Sequence, residues 1–293
     1  MANTSLTTHD TPLHEFYASC PEGFEAALAD ELRDMGLRQV RPLKGRVAFA
    51  GSPADAERAC LWSRLASRIF VVLGRFACTD AEDLYEATRS IAWERILRAG
   101  ATIAVTARGT NDELRNSHFA ALRVKDALCD RMLEVEGRRP NVDTDDPDAR
   151  ISLTLRGNRA SIQLDLSGDP LFKRLPPAAT RAGEGTHVLR PDYAALVLAQ
   201  VGWTAMCERE LTADDYENEA LPTLIDASCA GGGLLLEAVN ILTDRAPGAA
   251  RERWGFEGWQ LHDAALWEQL LAEAREREAA ARERQARIVA VDI

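Results

Sequence analysis

One short segment constrains this fold more than any other: Leu224-Ile225-Asp226-Ala227-Ser228-Cys229-Ala230-Gly231-Gly232-Gly233. An apolar run ends in an aspartate, a turn of small residues follows, and residues 234–238 have helical character. Strand, glycine turn and helix in that order let an open α/β sheet hold a nucleotide-like ligand. Glycine permits close approach of backbone, and the first helical N–H groups have no partner within the helix. A bare packing turn uses glycines in the same way, so both readings stand. A ribose-binding acid usually follows about 20 residues on. The next strand-end acid here is Asp292, far beyond that spacing.

Upstream, strands and helices alternate in short units. Strands are expected at 14–19, 45–50, 68–77 and 102–108. Phe24, Leu28 and Leu32 repeat at helical spacing before Gly36. Ser52-Pro53 and Asp80 open helices running to about Ser63 and Ser90. A long helix is expected over 117–136, with Phe119, Leu122, Leu128, Met132 and Leu133 as its apolar stripe. Residues 151–155 and 160–166 read as a hairpin around Gly157-Asn158. A linker fits 172–186, where Pro176-Pro177, Gly183 and Gly185 gather. One helix is expected over 192–208, another after the glycine turn to about Arg245, and a charged one over 266–285. Ile288-Val289-Ala290-Val291 then starts a buried strand.

Composition narrows the class. The 293 residues are 46% hydrophobic, enough for real cores. A net charge of -11 excludes coating of nucleic acid by bulk charge, though not a local basic face. The six cysteines are scattered, with no C-x-x-C pair, which suggests neither zinc nor a redox dithiol. Reduced thiols, no metal and a cytoplasmic setting are expected. No apolar run reaches the ~18–20 residues of a membrane span. Residues 1–12 read as a polar leader.

Resemblance adds to this. Ala246-Pro247-Gly248, Arg251, Trp254-Gly255-Phe256, Trp259, His262-Asp263 and Trp267 resemble an insertion of the bacterial large-subunit rRNA guanine-N2 methyltransferases, the L half of the RlmKL-type enzymes. In that family the insertion separates the glycine turn from the ribose acid. Cys60-Leu61-Trp62-Ser63-Arg64-Leu65-Ala66-Ser67-Arg68, Phe119-Ala120-Ala121-Leu122-Arg123-Val124-Lys125-Asp126-Ala127 and Leu164-Asp165-Leu166-Ser167-Gly168 are similar to its upstream segments. The turn departs from the family's Asp-Pro-x-Cys-Gly-Ser-Gly-Thr. Asp226, Cys229 and Gly232 match, but Ala230 replaces a glycine and the two hydroxyl positions are lost. Only Leu189-Arg190 match the family's pattern before the first methyltransferase helix.

The resemblance implies an α/β protein: an N-terminal ferredoxin-like/THUMP α+β region, then the first part of a Rossmann-like methyltransferase domain. The expected regions are 13–60 ferredoxin-like, 61–167 THUMP, 168–190 linker and 191–293 methyltransferase. The implied cofactor is S-adenosylmethionine, held by Asp226, Ser228, Cys229, Ala230, Gly231, Gly232, Gly233 and Asp292. The implied partner is large-subunit rRNA, with the N2 amine of a guanine as methyl acceptor. Expected RNA contacts are Arg108, Arg115, Arg123, Lys125, Arg131, Arg138 and Arg139, which otherwise read as an ordinary solvated face. No catalytic residue is assigned. The family's base-holding Asn-Pro-Pro-Tyr-like motif would follow Asp292, so a truncated enzyme is expected, its C-terminal half a further candidate partner. Two other readings stay open: an inactive RNA-binding fragment, and a nucleotide-binding protein unrelated to methylation. Trp254, Trp259 and Trp267 are expected to fill core, and Cys229 to pack as a small residue.

Overall fold

The structure, a computed structural model, describes residues 13–174, 188–218 and 220–291. The first unit comprises β1 (His14–Ser19), α1 (Glu25–Asp34), β2 (Arg38–Leu43), β3 (Arg46–Gly51) and α2 (Pro53–Trp62). A long β4 (Arg68–Ala77) leads into α3 (Ala81–Arg89), β5 (Ile103–Arg108), α4 (Ser117–Glu136), β6 (Ala149–Arg156) and β7 (Arg159–Asp165). The strands form one seven-stranded sheet in the order β2-β3-β1-β4-β7-β6-β5. Only β5 and β6 are parallel neighbours. β4 pairs with β1 on one side and β7 on the other, so a single ladder joins the ferredoxin-like and THUMP-like halves.

Helix starts follow side-chain chemistry. Ser52 and Asp55 form a reciprocal capping box at α2, with Pro53 in its first turn. Asp80 and Asn116 each accept two backbone N–H bonds at the starts of α3 and α4. All four helices pack on one face of the sheet. There Phe16, Val47, Ile69, Ile151, Ile162 and Leu164 meet Leu28, Ala59, Leu84, Val124 and Leu128.

Three expectations need correction. β2 was not foreseen because Arg38-Gln39-Val40-Arg41-Pro42-Leu43 is polar and holds a proline. It is an edge strand, where a missing N–H is tolerated. In α4 the buried stripe is Ala120, Val124, Leu128 and Met132, while Phe119, Leu122 and Leu133 are exposed. The small alanines lie against the sheet, so size misled the assignment. The helix expected over 192–208 breaks at Gly202, whose φ of 73° is left-handed. It leaves α5 (Pro191–Gln200) and α6 (Trp203–Glu208).

After α7 (Ala213–Glu217) come β8 (Thr223–Asp226), α8 (Gly233–Leu242), α9 (Ala264–Ala280) and β9 (Arg287–Ala290). β8 and β9 run parallel, a β-α-β unit with residues between α8 and β9 inserted. That insertion docks on the first unit. Trp254 and Trp259 are 3% and 2% exposed, Trp254 stacks on Phe256, and Trp259 meets Phe16 edge-on. Trp267 sits edge-on to Trp254 and Phe256. These tryptophans therefore fill core. Across the same junction, Arg58 makes a bidentate pair with Glu273, both bonds 2.7 Å. Buried Glu237 of α8 accepts from Arg64 (3.0 Å) and Arg174 (2.9 Å).

Candidate cofactor turn and nucleic-acid interface

The turn after β8 is built from backbone hydrogen bonds. The half-buried Asp226 accepts from the Ser228 N–H at 3.1 Å, which turns the chain away from the strand. Cys229 N donates to Val291 O (3.1 Å), and Val291 N donates to Asp226 O (2.9 Å). These bonds fix the turn to the end of β9. Gly232 N donates to Cys229 O at 2.7 Å, and Gly232 itself, at φ 72°, precedes the first residue of α8. Ser228 is exposed and Cys229 half-buried. Asp292 lies outside the described residues.

Two of the three glycines are explained by a neighbour that sequence reasoning missed. A Cβ on Gly231 would come within 2.4 Å of Val188 Cγ2, and one on Gly233 within 2.5 Å of Leu189 O. Close approach of residues 188–189 therefore requires both glycines. A Cβ on Gly232 would meet nothing, so its own requirement is conformational. Ala230 is exposed, with φ at +39°, a region that side chains other than glycine seldom occupy. The only sequence signal for this covering segment was the isolated Leu189-Arg190 match. Arg190 is held by the fully buried Asp192 through bonds of 2.6 and 2.7 Å and lies over the Phe172 and Tyr193 rings.

The donor set suits a group that carries both an amine and a carboxylate. Asp226 supplies the carboxylate at the strand end, and the first N–H groups of α8 have no partner within the helix. Among the described residues, no group of His, Cys, Asp and Glu is arranged to hold a metal, and no helix is long and apolar enough to cross a membrane.

The expected RNA-binding residues do not form one patch. Six lie on α4 or its flanking loops, and five of those are ion-paired. Arg123 bonds Glu82 and lies over the Tyr85 ring, and Arg131 bonds Glu94. Arg139 bonds Asp130, Lys125 bonds Asp126, and Arg138 lies 3.8 Å from Glu136. The Arg115 Nε donates to Asp112 O at 2.7 Å. Arg108 stands apart, exposed on the sheet face opposite the helices, where its register partner is Thr154.

Residues 15–70 match the family model of the RlmL ferredoxin-like domain, and residues 78–165 match the THUMP domain. The chain carries an RlmL-type ferredoxin-like domain followed by a THUMP domain. Ribosomal RNA large subunit methyltransferase K/L of Syntrophotalea carbinolica is 40% identical over 268 residues, which is 92% of this chain and 35% of that protein. The protein of the same description from Aeromonas hydrophila is 41% identical over 265 residues, 90% of this chain and 34% of its own length. This chain thus spans about a third of the length of the curated relatives it matches. Among solved structures, SMU.472, assigned as a methyltransferase and complexed with SAH, superposes with a TM-score of 0.77 at 26% identity. The match covers 96% of this chain and 68% of that one. TrmN from Thermus thermophilus gives 0.59 at 22% identity over 96% of this chain and 73% of its own, a likeness of fold alone.

Proposed function

We propose that this chain holds large-subunit rRNA and S-adenosylmethionine for methyl transfer to the N2 amine of a guanine. The observation that carries the reading is the strand–turn–helix of Asp226, docked through Glu237 onto an RlmL-type ferredoxin-like and THUMP sheet. When bound, S-adenosylmethionine supplies an electrophilic methyl group. This chain's residues would orient the reactants: Asp226 faces the amino-acid end, the 228–233 turn and the first turn of α8 offer N–H donors, and Asp292 is assigned to the ribose. The guanine amine needs no protein nucleophile, so Cys229 keeps a packing role. Placement of two reactants is itself a large part of such catalysis. Of the basic residues expected to contact RNA, Arg108 is proposed for that role, in a cytoplasmic setting; Arg115, Arg123, Lys125, Arg131, Arg138 and Arg139 are already engaged by neighbouring groups. Calorimetry with S-adenosylmethionine, alongside binding of a model rRNA hairpin, tests both halves. Binding of both supports the reading, and absence of RNA binding overturns it.

A second reading, RNA binding without catalysis, is favoured by the turn itself. Gly231 and Gly233 are required by residues 188–189, and Ala230 stands where the family has glycine. RNA binding with no cofactor binding at high-micromolar S-adenosylmethionine would select it.

A further inference from the structure

The helices cover one face of the seven-stranded sheet, and strand register identifies the residues on the other. β2 and β3 contribute Arg38, Arg41 and Arg46, paired opposite Ala50, Ala48 and Ser19. β4 contributes Arg68 and Arg75, opposite Ser19 of β1 and Ser161 of β7. At the far side, Arg150 and Arg156 of β6, Arg159 of β7 and Arg108 of β5 continue the row. Every strand but β1 places arginine on this face. The acids at strand positions there are Glu15, bonded to Arg75, and Asp165, bonded to Arg68. Nine arginines against two carboxylates leave a formal excess of seven positive charges, in a chain whose net charge is -11.

The middle of this face is aromatic and polar. Tyr17 and Phe70 stack with ring centroids 4.7 Å apart, and the Arg46 guanidinium lies 5.2 Å from the Tyr17 ring. Between the arginines run Ser152, Thr154, Ser161 and Thr106, all hydroxyl donors. Gln163, fully buried among them, has an amide oxygen with no hydrogen-bond partner among the described residues. Self-repulsion of so many cations is unfavourable unless a polyanion spans them. By contrast, most of the α4 basic residues already have acidic partners.

We infer that the open face of the seven-stranded sheet, running unbroken from β2 to β5, is the RNA-binding surface. The phosphate backbone tracks the arginine rows, and an unstacked base is received by Tyr17 and Phe70. This rests on the reading that the chain binds RNA, and it places the contacts on the sheet and not on α4.

The test measures binding of a model rRNA hairpin by anisotropy over a salt series. The protein is compared with R108Q/R156Q/R159Q, with the Lys version of the same triple, and with R131Q/R139Q on the α4 side. Arg108, Arg156 and Arg159 are exposed, and thermal melts check folding. Each phosphate contact contributes roughly 0.7 to the slope of log K against log salt for single-stranded RNA. The Gln triple should lower that slope by about two and weaken binding at least about tenfold, the Lys triple should retain the slope, and the α4 variant should match the wild type. Wild-type RNA binding left intact by the Gln triple would overturn the surface while leaving RNA binding itself standing. If the triple instead dissociated a self-associated protein with no change in RNA binding, the face would be a protein interface and the inference wrong. A wild type that binds no RNA would remove the functional reading and this inference together.

Discussion

Ala230→Gly is the most direct test of the cofactor turn. Ala230 sits at φ +39°, and its side chain is exposed, so contacts offset little of the strain. An L-residue in left-handed backbone costs about 1–2 kcal/mol relative to glycine. Glycine returns part of this, since its unfolded chain has about 0.4–1 kcal/mol more conformational freedom to lose. The net expectation is a stabilisation of roughly 0.5–1 kcal/mol, confined to the β8–α8 turn. Hydrogen–deuterium exchange of peptides covering residues 223–242 reads this as local opening slowed about two- to five-fold, because 1.4 kcal/mol is tenfold in an equilibrium constant. Ala230→Val should move the other way, since β-branching makes left-handed backbone harder still. If Ala230→Gly speeds exchange, or if both variants leave it unchanged, the strain assigned to this position does not exist. The same variant should tighten S-adenosylmethionine binding if the turn is a cofactor site, and leave it absent if the turn only packs.

The other predictions concern the joints of the fold. Glu237→Ala strands Arg64 and Arg174, which are 15% and 6% exposed, and should cost about 3–5 kcal/mol, seen as a lower urea midpoint or as separate transitions for the two units. Burial, then the nearby Asp263 charge, pushes the Glu57 carboxyl up to about 8 from 4.5, and its Oε1 lies 2.9 Å from His262 Nδ1. An acid raised in the folded state contributes stability that is whole below its unfolded value and is lost as pH rises through the folded one. Stability should therefore fall between about pH 4.5 and 8, and Glu57→Gln should flatten that fall in chemical-denaturation series at both ends. Gly233→Ala places a methyl group 2.5 Å from Leu189 O and should destabilise α8 and the segment that covers it, detected by faster exchange in residues 188–193 as well as in α8. A slowdown confined to cofactor binding, with exchange unchanged, would contradict the packing role given to this glycine.

Much of the fold could be read from spacing, and the reasons differ by element. β1, β4 and α4 carry patterns that local chemistry alone enforces: alternation, β-branched runs, and Asn116 capping twenty helical residues. β2 could not be found, because an edge strand almost wholly exposed to water needs neither alternation nor apolar residues. The α4 stripe was read correctly at Leu128 and Met132 but misplaced at Phe119, Leu122 and Leu133, because large apolar residues were assumed to face the core at positions where Ala120 and Val124 do so. The arginine face was hidden for a related reason. Its residues are far apart in sequence and share a surface only through strand order, so a search for local runs of charge led to α4, where neighbouring acids neutralise the same residues.

The glycine turn shows where a motif's meaning depends on tertiary structure. Three glycines invite the inference that a ligand needs the space. Here the chain itself takes the space at two of them, through Val188 and Leu189. That does not argue against a cofactor, because a segment lying on the turn can also form one wall of a site. It does change which residue is diagnostic. Gly231 and Gly233 would be required with or without a ligand, so their presence says little. Ala230 is different: nothing packs there that would demand glycine, and yet the backbone adopts a conformation that favours one. A position strained in the free protein and relieved by the family's own residue is where loss or retention of cofactor binding should be sought first.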